Sequence, residues 1–147
     1  MKHHDRPVAE IMRRHFVTLS PSDRLDLADD VMKLGRIRHM PVLDGERLVG
    51  VVSQRDLLAA SLSKALDFEV KERRVFLKSV AVEEAMTRDP ITISPETSAG
   101  EAARLLVRRK IGCLPVVDAK GATVGLVTET DLLRSAYEVE ETESGAS

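Results

Sequence analysis

Apolar residues recur at helical spacing twice along the chain, and each time two short apolar runs follow. Leu25, Ala28, Val31 and Met32 mark one helix face, and Ala99, Ala102, Ala103 and Leu106 mark another. After the first helix come runs at 40–43 and 48–52, around Gly45; after the second come 114–117 and 123–127, around Gly121. Strand, short glycine turn, strand predicts a hairpin. A further helix is predicted after Ser53 and again after Thr128, running through Leu57-Leu58 and Leu132-Leu133. Ahead of each set, 17–19 and 91–93 read as short extended pieces, each leading into a Ser-Pro turn that starts the first helix.

These are two copies of one unit. Residues 8–44 align with 82–118 without a gap at an offset of 74, pairing Met12 with Met86, Thr18 with Thr92 and Ile37 with Ile111. Past Asp44 the second copy carries one extra turn residue, and the register resumes at an offset of 75, pairing Gly50 with Gly125 and Asp56 with Asp131. Each copy reads β-α-β-β-α. A unit this small has little core of its own, so two copies packed through their sheets would share a continuous one about a pseudo-twofold axis. The predicted fold class is α/β in the α+β sense, with the two repeats forming one module. The expected organisation is an N-terminal arm at 1–7, a first repeat at 8–62, a connector at 63–81, a second repeat at 82–138 and a tail at 139–147. The connector holds Leu66, Phe68, Val70, Phe76 and Leu77, too apolar for a free linker, and predicts a helix extension and a turn packed on the module. The tail is acidic, small and polar, and is expected to be disordered.

Composition narrows the function. The chain has 147 residues, 43% hydrophobic and 31% charged, enough to bury a core and stay soluble. A net charge of -2 gives no general attraction to nucleic acid or an anionic membrane, and 3% aromatics leaves little for stacking bases. Nucleic acid and membrane are therefore not expected partners, although a local basic patch is compatible with the composition. Cys113 is the lone cysteine, which excludes an internal disulfide and fits a reducing compartment. The start is polar, without a signal-type apolar stretch, and no run is long enough to cross a bilayer; the expected location is cytoplasmic. His3-His4 supply too few fixed ligands for a metal, and no metal site is expected.

Two motifs carry candidate chemistry. Ser53-x-x-Asp56 and Thr128-x-x-Asp131 each stand where a strand becomes a helix. Free N–H groups and the positive end of the helix dipole gather there, which suits an anion. A hydroxyl there can donate to phosphate, and a carboxylate one turn on can accept from both hydroxyls of a ribose. The same spacing is a variant of the capping box, which merely closes a helix start. Repetition beside Gly50 and Gly125 favours the binding role, and the hydroxyls can serve both. Backbone groups at 38–41 and 112–115 offer donors and acceptors at the start of a strand, and Pro41 and Pro115, lacking an N–H, favour an edge position. Val42, Leu43, Val116 and Val117 read as core. Thr18 and Thr92, taken alone, read as plain strand formers.

Each copy resembles a CBS domain, the module named after cystathionine β-synthase. The resemblance lies in residues 36–44 with 50–56, and in residues 110–118 with 125–131. It implies a tandem module with a pseudo-twofold cleft, dimerised into a disc, and up to two adenosyl sites per pair. It also implies AMP, ADP, ATP or S-adenosylmethionine as ligand, with Asp56 and Asp131 on the ribose. The expected nucleotide-binding residues are Thr18, Arg38, His39, Met40, Pro41, Ser53, Arg55 and Asp56, then Thr92, Gly112, Cys113, Leu114, Pro115, Thr128 and Asp131. Arg36, Arg38, His39 and Arg55 make the first copy more basic than the second, where Lys110, Gly112, Cys113 and Thr130 stand instead. Phosphates are expected near the first cluster, with unequal affinities; solvated surface charges are the other account of it.

The expected function is a non-catalytic ligand sensor, homodimeric, signalling to an unidentified protein by a conformational shift. No catalytic residues and no catalytic cofactor are expected, and a nucleotide hydrolase is disfavoured because no constellation for chemistry is evident. A ligand-free structural or oligomerisation module is the alternative, with Asp56 and Asp131 as caps alone.

Overall fold

The computed structural model describes residues 2–62 and 70–139. The chain divides into two compact units, one formed by Val17–Asp89 and the other by Met1–Phe16 together with Pro90–Ser147. Both contain the β-α-β-β-α repeat, its first β reduced to a single bridging residue, Leu19 in one and Ile93 in the other. The segment leading into the first repeat thus belongs to the unit built on the second, and the segment leading into the second repeat belongs to the unit built on the first.

In the Val17–Asp89 unit, helix α1 (Leu25–Gly35) is followed by strands β1 (His39–Asp44) and β2 (Arg47–Ser53), then helix α2 (Gln54–Leu62). Helix α3 (Val70–Ser79), short helix α4 (Val82–Ala85) and strand β3 (Thr87–Arg88) complete it. The strands form an antiparallel sheet in the order β1-β2-β3. The expected helix face is the buried one: Leu25, Ala28 and Met32 are in the core and Val31 packs at its edge. Leu19, Met40, Val42, Val52 and Leu77 meet them there. Leu77 joins the connector to this core, and Arg74 adds a two-pronged bond to Asp30, at 3.0 and 3.1 Å. The connector's helix at 70–79 is therefore docked; residues 63–69, which include Leu66 and Phe68, lie outside the described residues, as do 140–147 of the tail.

Residues 17–19 do not form a strand. Leu19 alone bridges Val42 in parallel, its N–H donating to the Pro41 carbonyl at 3.0 Å and its carbonyl accepting from Leu43 N at 2.8 Å. One step earlier the ladder needs an N–H from residue 41, and proline has none. The second repeat stops in the same way: Ile93 donates to the Pro115 carbonyl at 3.0 Å and accepts from Val117 N at 2.8 Å. The Ser-Pro turns also end before their helices start. Asp23 and Thr97 side chains accept from Ser20 and Ser94 N–H, and the helices begin at Leu25 and Ala99.

The other unit repeats this pattern with helix α5 (Ala99–Arg109), strands β4 (Cys113–Val117) and β5 (Thr123–Thr128) and helix α6 (Glu129–Ala136). Val8, Met12, Ile93, Ala102, Leu114 and Val127 are among its core residues. The N-terminal segment is held by backbone bonds, Val8 N to Thr97 O at 2.8 Å and Ala99 N to Arg6 O at 2.7 Å. Arg13 and Leu126 then exchange backbone bonds across an antiparallel bridge, at 2.9 and 3.0 Å. Both α1 and α5 end on a left-handed residue, Arg36 at φ 52° and Lys110 at φ 54°. Arg36 is thus a helix terminator as well as a member of the basic cluster.

Candidate functional site

Strand β2 runs directly into α2, so Ser53 and Asp56 face each other across the first helical turn. Asp56 Oδ2 accepts from Ser53 N at 2.8 Å, and Ser53 Oγ accepts from Asp56 N at 3.0 Å. This is a complete reciprocal cap. It uses one carboxylate oxygen; among the described residues Asp56 Oδ1 has no hydrogen-bond or ion-pair partner. The adjoining strand brings the basic residues to this junction. His39 pairs with Ser53 in the β1–β2 ladder, and the Arg38 carbonyl accepts from Gln54 N at 2.8 Å. Arg38 and Arg55 are exposed and His39 is half-buried. The outcome is a carboxylate with one open oxygen at a helix start, at a junction that also carries the exposed arginines Arg38 and Arg55. That combination suits a ligand with hydroxyl donors at one end and negative charge at the other.

The junction of β5 and α6 has the same backbone but a different electrostatic state. Asp131 Oδ2 accepts from Thr128 N at 2.9 Å and from Thr128 Oγ1 at 3.0 Å. Its Oδ1 accepts from Arg13 Nε at 3.1 Å and Arg134 Nη1 at 3.4 Å. The Asp131 side chain is only 1% exposed. Cys113, paired with Thr128 in the β4–β5 ladder, is buried beside it. Burial, and to a smaller extent the negative charge of Asp131, pushes the Cys113 thiol up from its usual 9.0 to about 12. The thiol is held protonated and behaves as a small core group.

The remaining expected residues divide by burial. Met40, Pro41, Leu114 and Pro115 have wholly buried side chains, so only their backbone groups are available to a ligand. Of these, the Pro41 and Pro115 carbonyls are already taken by Leu19 and Ile93. Thr18 and Thr92 are exposed, each one residue before the parallel bridge that sets it beside its hairpin. Gly112 is half-buried just before β4. Sequence reasoning missed Arg13 and Arg134. Their signal lay in comparing the copies: at the repeat offsets, Arg13 corresponds to Thr87 and Arg134 to Ala59.

Three comparisons bear on this geometry. A family model for the CBS domain matches residues 8–63 and 82–138. Among curated relatives, an inosine-5'-monophosphate dehydrogenase of Korarchaeum cryptofilum is 36% identical over 119 residues, 81% of this chain but 22% of that enzyme. The chain therefore spans about a fifth of that relative. A CBS domain-containing protein of Dictyostelium discoideum is 33% identical over 127 residues, 86% of this chain and 88% of its own length. Among solved structures, CBSX2 in complex with AMP superimposes with a TM-score of 0.76 at 30% identity, covering 92% of this chain and 99% of that one.

Proposed function

The chain belongs to the CBS domain family, and from that premise we propose that it is a non-catalytic regulatory module that binds an adenosyl ligand and signals to a protein partner. The ligand class is AMP, ADP, ATP or S-adenosylmethionine. The observation that carries this reading is the β2–α2 junction, where Asp56 keeps one oxygen open beside Arg38, His39 and Arg55. Asp56 accepts from the two ribose hydroxyls, and the helix start and the arginines hold phosphate. The likeness to CBSX2, whose structure contains AMP, supports the nucleotide. Binding influences a partner only by favouring one conformational state over another. Dimerisation of the module belongs to the same proposal.

A second reading is favoured by one observation: Ser53 and Asp56 already form a reciprocal helix cap. The module is then structural, with both carboxylates as caps. Thermal unfolding across concentrations of AMP, ADP, ATP and S-adenosylmethionine separates the two. A ligand that binds only the folded state stabilises it by about 2.7 kcal/mol at a hundred times its Kd. The sensor reading expects such a shift with at least one compound, lost in Asp56→Ala. No shift with any of them, from protein with an intact fold, leaves the structural module.

A further inference from the structure

Asp131 is closed to ribose by its own neighbours. A carboxylate offers about four lone-pair directions. At Asp131 two are taken by Thr128, through N–H and Oγ1, and two by the guanidinium groups of Arg13 and Arg134. A vicinal diol needs two acceptor positions, and here it gains them only by displacing an arginine from a buried anion. Asp56 is in the opposite state, with Oδ1 open. The difference follows from two substitutions between the copies, since Thr87 and Ala59 occupy the repeat positions of Arg13 and Arg134 and are both exposed.

We infer that the paired repeats bind one nucleotide per chain, at Asp56, and that Arg13 and Arg134 are the residues that keep the second carboxylate closed. The inference rests on the nucleotide-binding reading above. It also gives the second repeat a role of its own. The Arg13–Asp131–Arg134 cluster ties the N-terminal segment to α6, so this carboxylate serves to hold that segment in place.

Calorimetric titration of the full chain with AMP, ADP, ATP and S-adenosylmethionine in turn tests this by stoichiometry. The intact protein takes up one equivalent. Asp56→Asn weakens that binding by about tenfold or more, the value of a lost charged hydrogen bond. Arg13→Thr with Arg134→Ala, which copies the first repeat into the second, yields a second equivalent. The reciprocal pair, Thr87→Arg with Ala59→Arg, lies at exposed positions and closes the first site, so the test survives if the other pair fails to fold. Two equivalents in the intact protein overturn the inference while sparing the nucleotide reading. Unchanged binding in the reciprocal variant also overturns it. Absence of binding by AMP, ATP, ADP and S-adenosylmethionine alike refutes the nucleotide reading itself.

Discussion

Gly50 is the residue through which the exchanged segment reaches the sheet, and replacing it with alanine measures that contact. A Cβ at position 50 would lie 2.6 Å from Met86 Sδ, 2.9 Å from Met86 Cγ and 2.8 Å from the Thr87 carbonyl oxygen. The methionine can swing aside. The carbonyl cannot, because β3 pairs with β2 at Gly50↔Arg88 and Val51↔Thr87. Accommodating the methyl group therefore means parting β3 from β2 or distorting β2 just before Ser53. Overpacking of this kind costs about 1–3 kcal/mol, and the fixed backbone contact places Gly50→Ala at the upper end, about 2–3 kcal/mol. At roughly 3–4 °C per kcal/mol for a chain of this size, the Tm falls by roughly 6–12 °C. Gly45→Ala is the control. Gly45 has φ +65° and nothing within 4 Å of an added Cβ, so that variant loses only the left-handed preference, about 1 kcal/mol. Thermal and denaturant unfolding of both, with Met86→Ala added to each, complete a double-mutant cycle. Removing Met86 relieves part of the Gly50→Ala penalty and none of the Gly45→Ala penalty. Equal Tm values for Gly50→Ala and the parent protein, or coupling of Met86 to Gly45, would refute the close approach.

Leu77→Ala removes a side chain that is 1% exposed at the point where α3 meets the core, and denaturant unfolding is expected to show a loss of about 2–5 kcal/mol. Cys113 is expected to resist alkylation at pH 8 in the folded protein and to react at once when unfolded. Its raised pKa means that the unfolded thiol ionises from pH 9.0 while the folded one waits until about 12, so stability declines across that window and Cys113→Ala removes that part of the decline. Asp30 behaves in the opposite sense. The Arg74 hydrogen bond holds its carboxyl below the usual 3.8, so the stability it contributes is present above that pH and is lost as pH falls through the lower folded value. The stability difference between the parent and Arg74→Ala, followed by denaturant unfolding from pH 6 downward, is small because the pair is exposed, and it closes in the acid range.

What could be read from the sequence was what neighbouring residues settle among themselves. Leu25, Ala28 and Met32 announce a buried helix face because their spacing is the helix's own period, and the hairpins around Gly45 and Gly121 are local turns. Residues 17–19 and 91–93 read as short extended pieces because propensity is local too. Their pairing is limited to one bridge by prolines more than twenty residues away in the chain, Pro41 and Pro115. The exchange of leading segments escaped for the same reason. Met12 and Met86 align as a repeat pair, yet nothing near them in the chain says that Met12 packs over Gly125 and Met86 over Gly50.

The candidate site divides along the same line, and the division bears on how duplicated modules acquire separate roles. Ser53, Asp56, Thr128 and Asp131 were visible because both copies keep them, and a shared motif predicts a shared function. The residues that set the two carboxylates apart, Arg13 and Arg134, carry no repeat signal, since Thr87 and Ala59 in the other copy break the match. Two guanidinium groups on a carboxylate that is 1% exposed alter its surroundings without touching the motif: Asp131 is paired through both oxygens, while Asp56 keeps one without a partner among the described residues. A duplicated site can in this way lose a ligand while its signature stays intact. In a tandem pair the informative positions for occupancy are therefore the mismatches that reach the shared carboxylate.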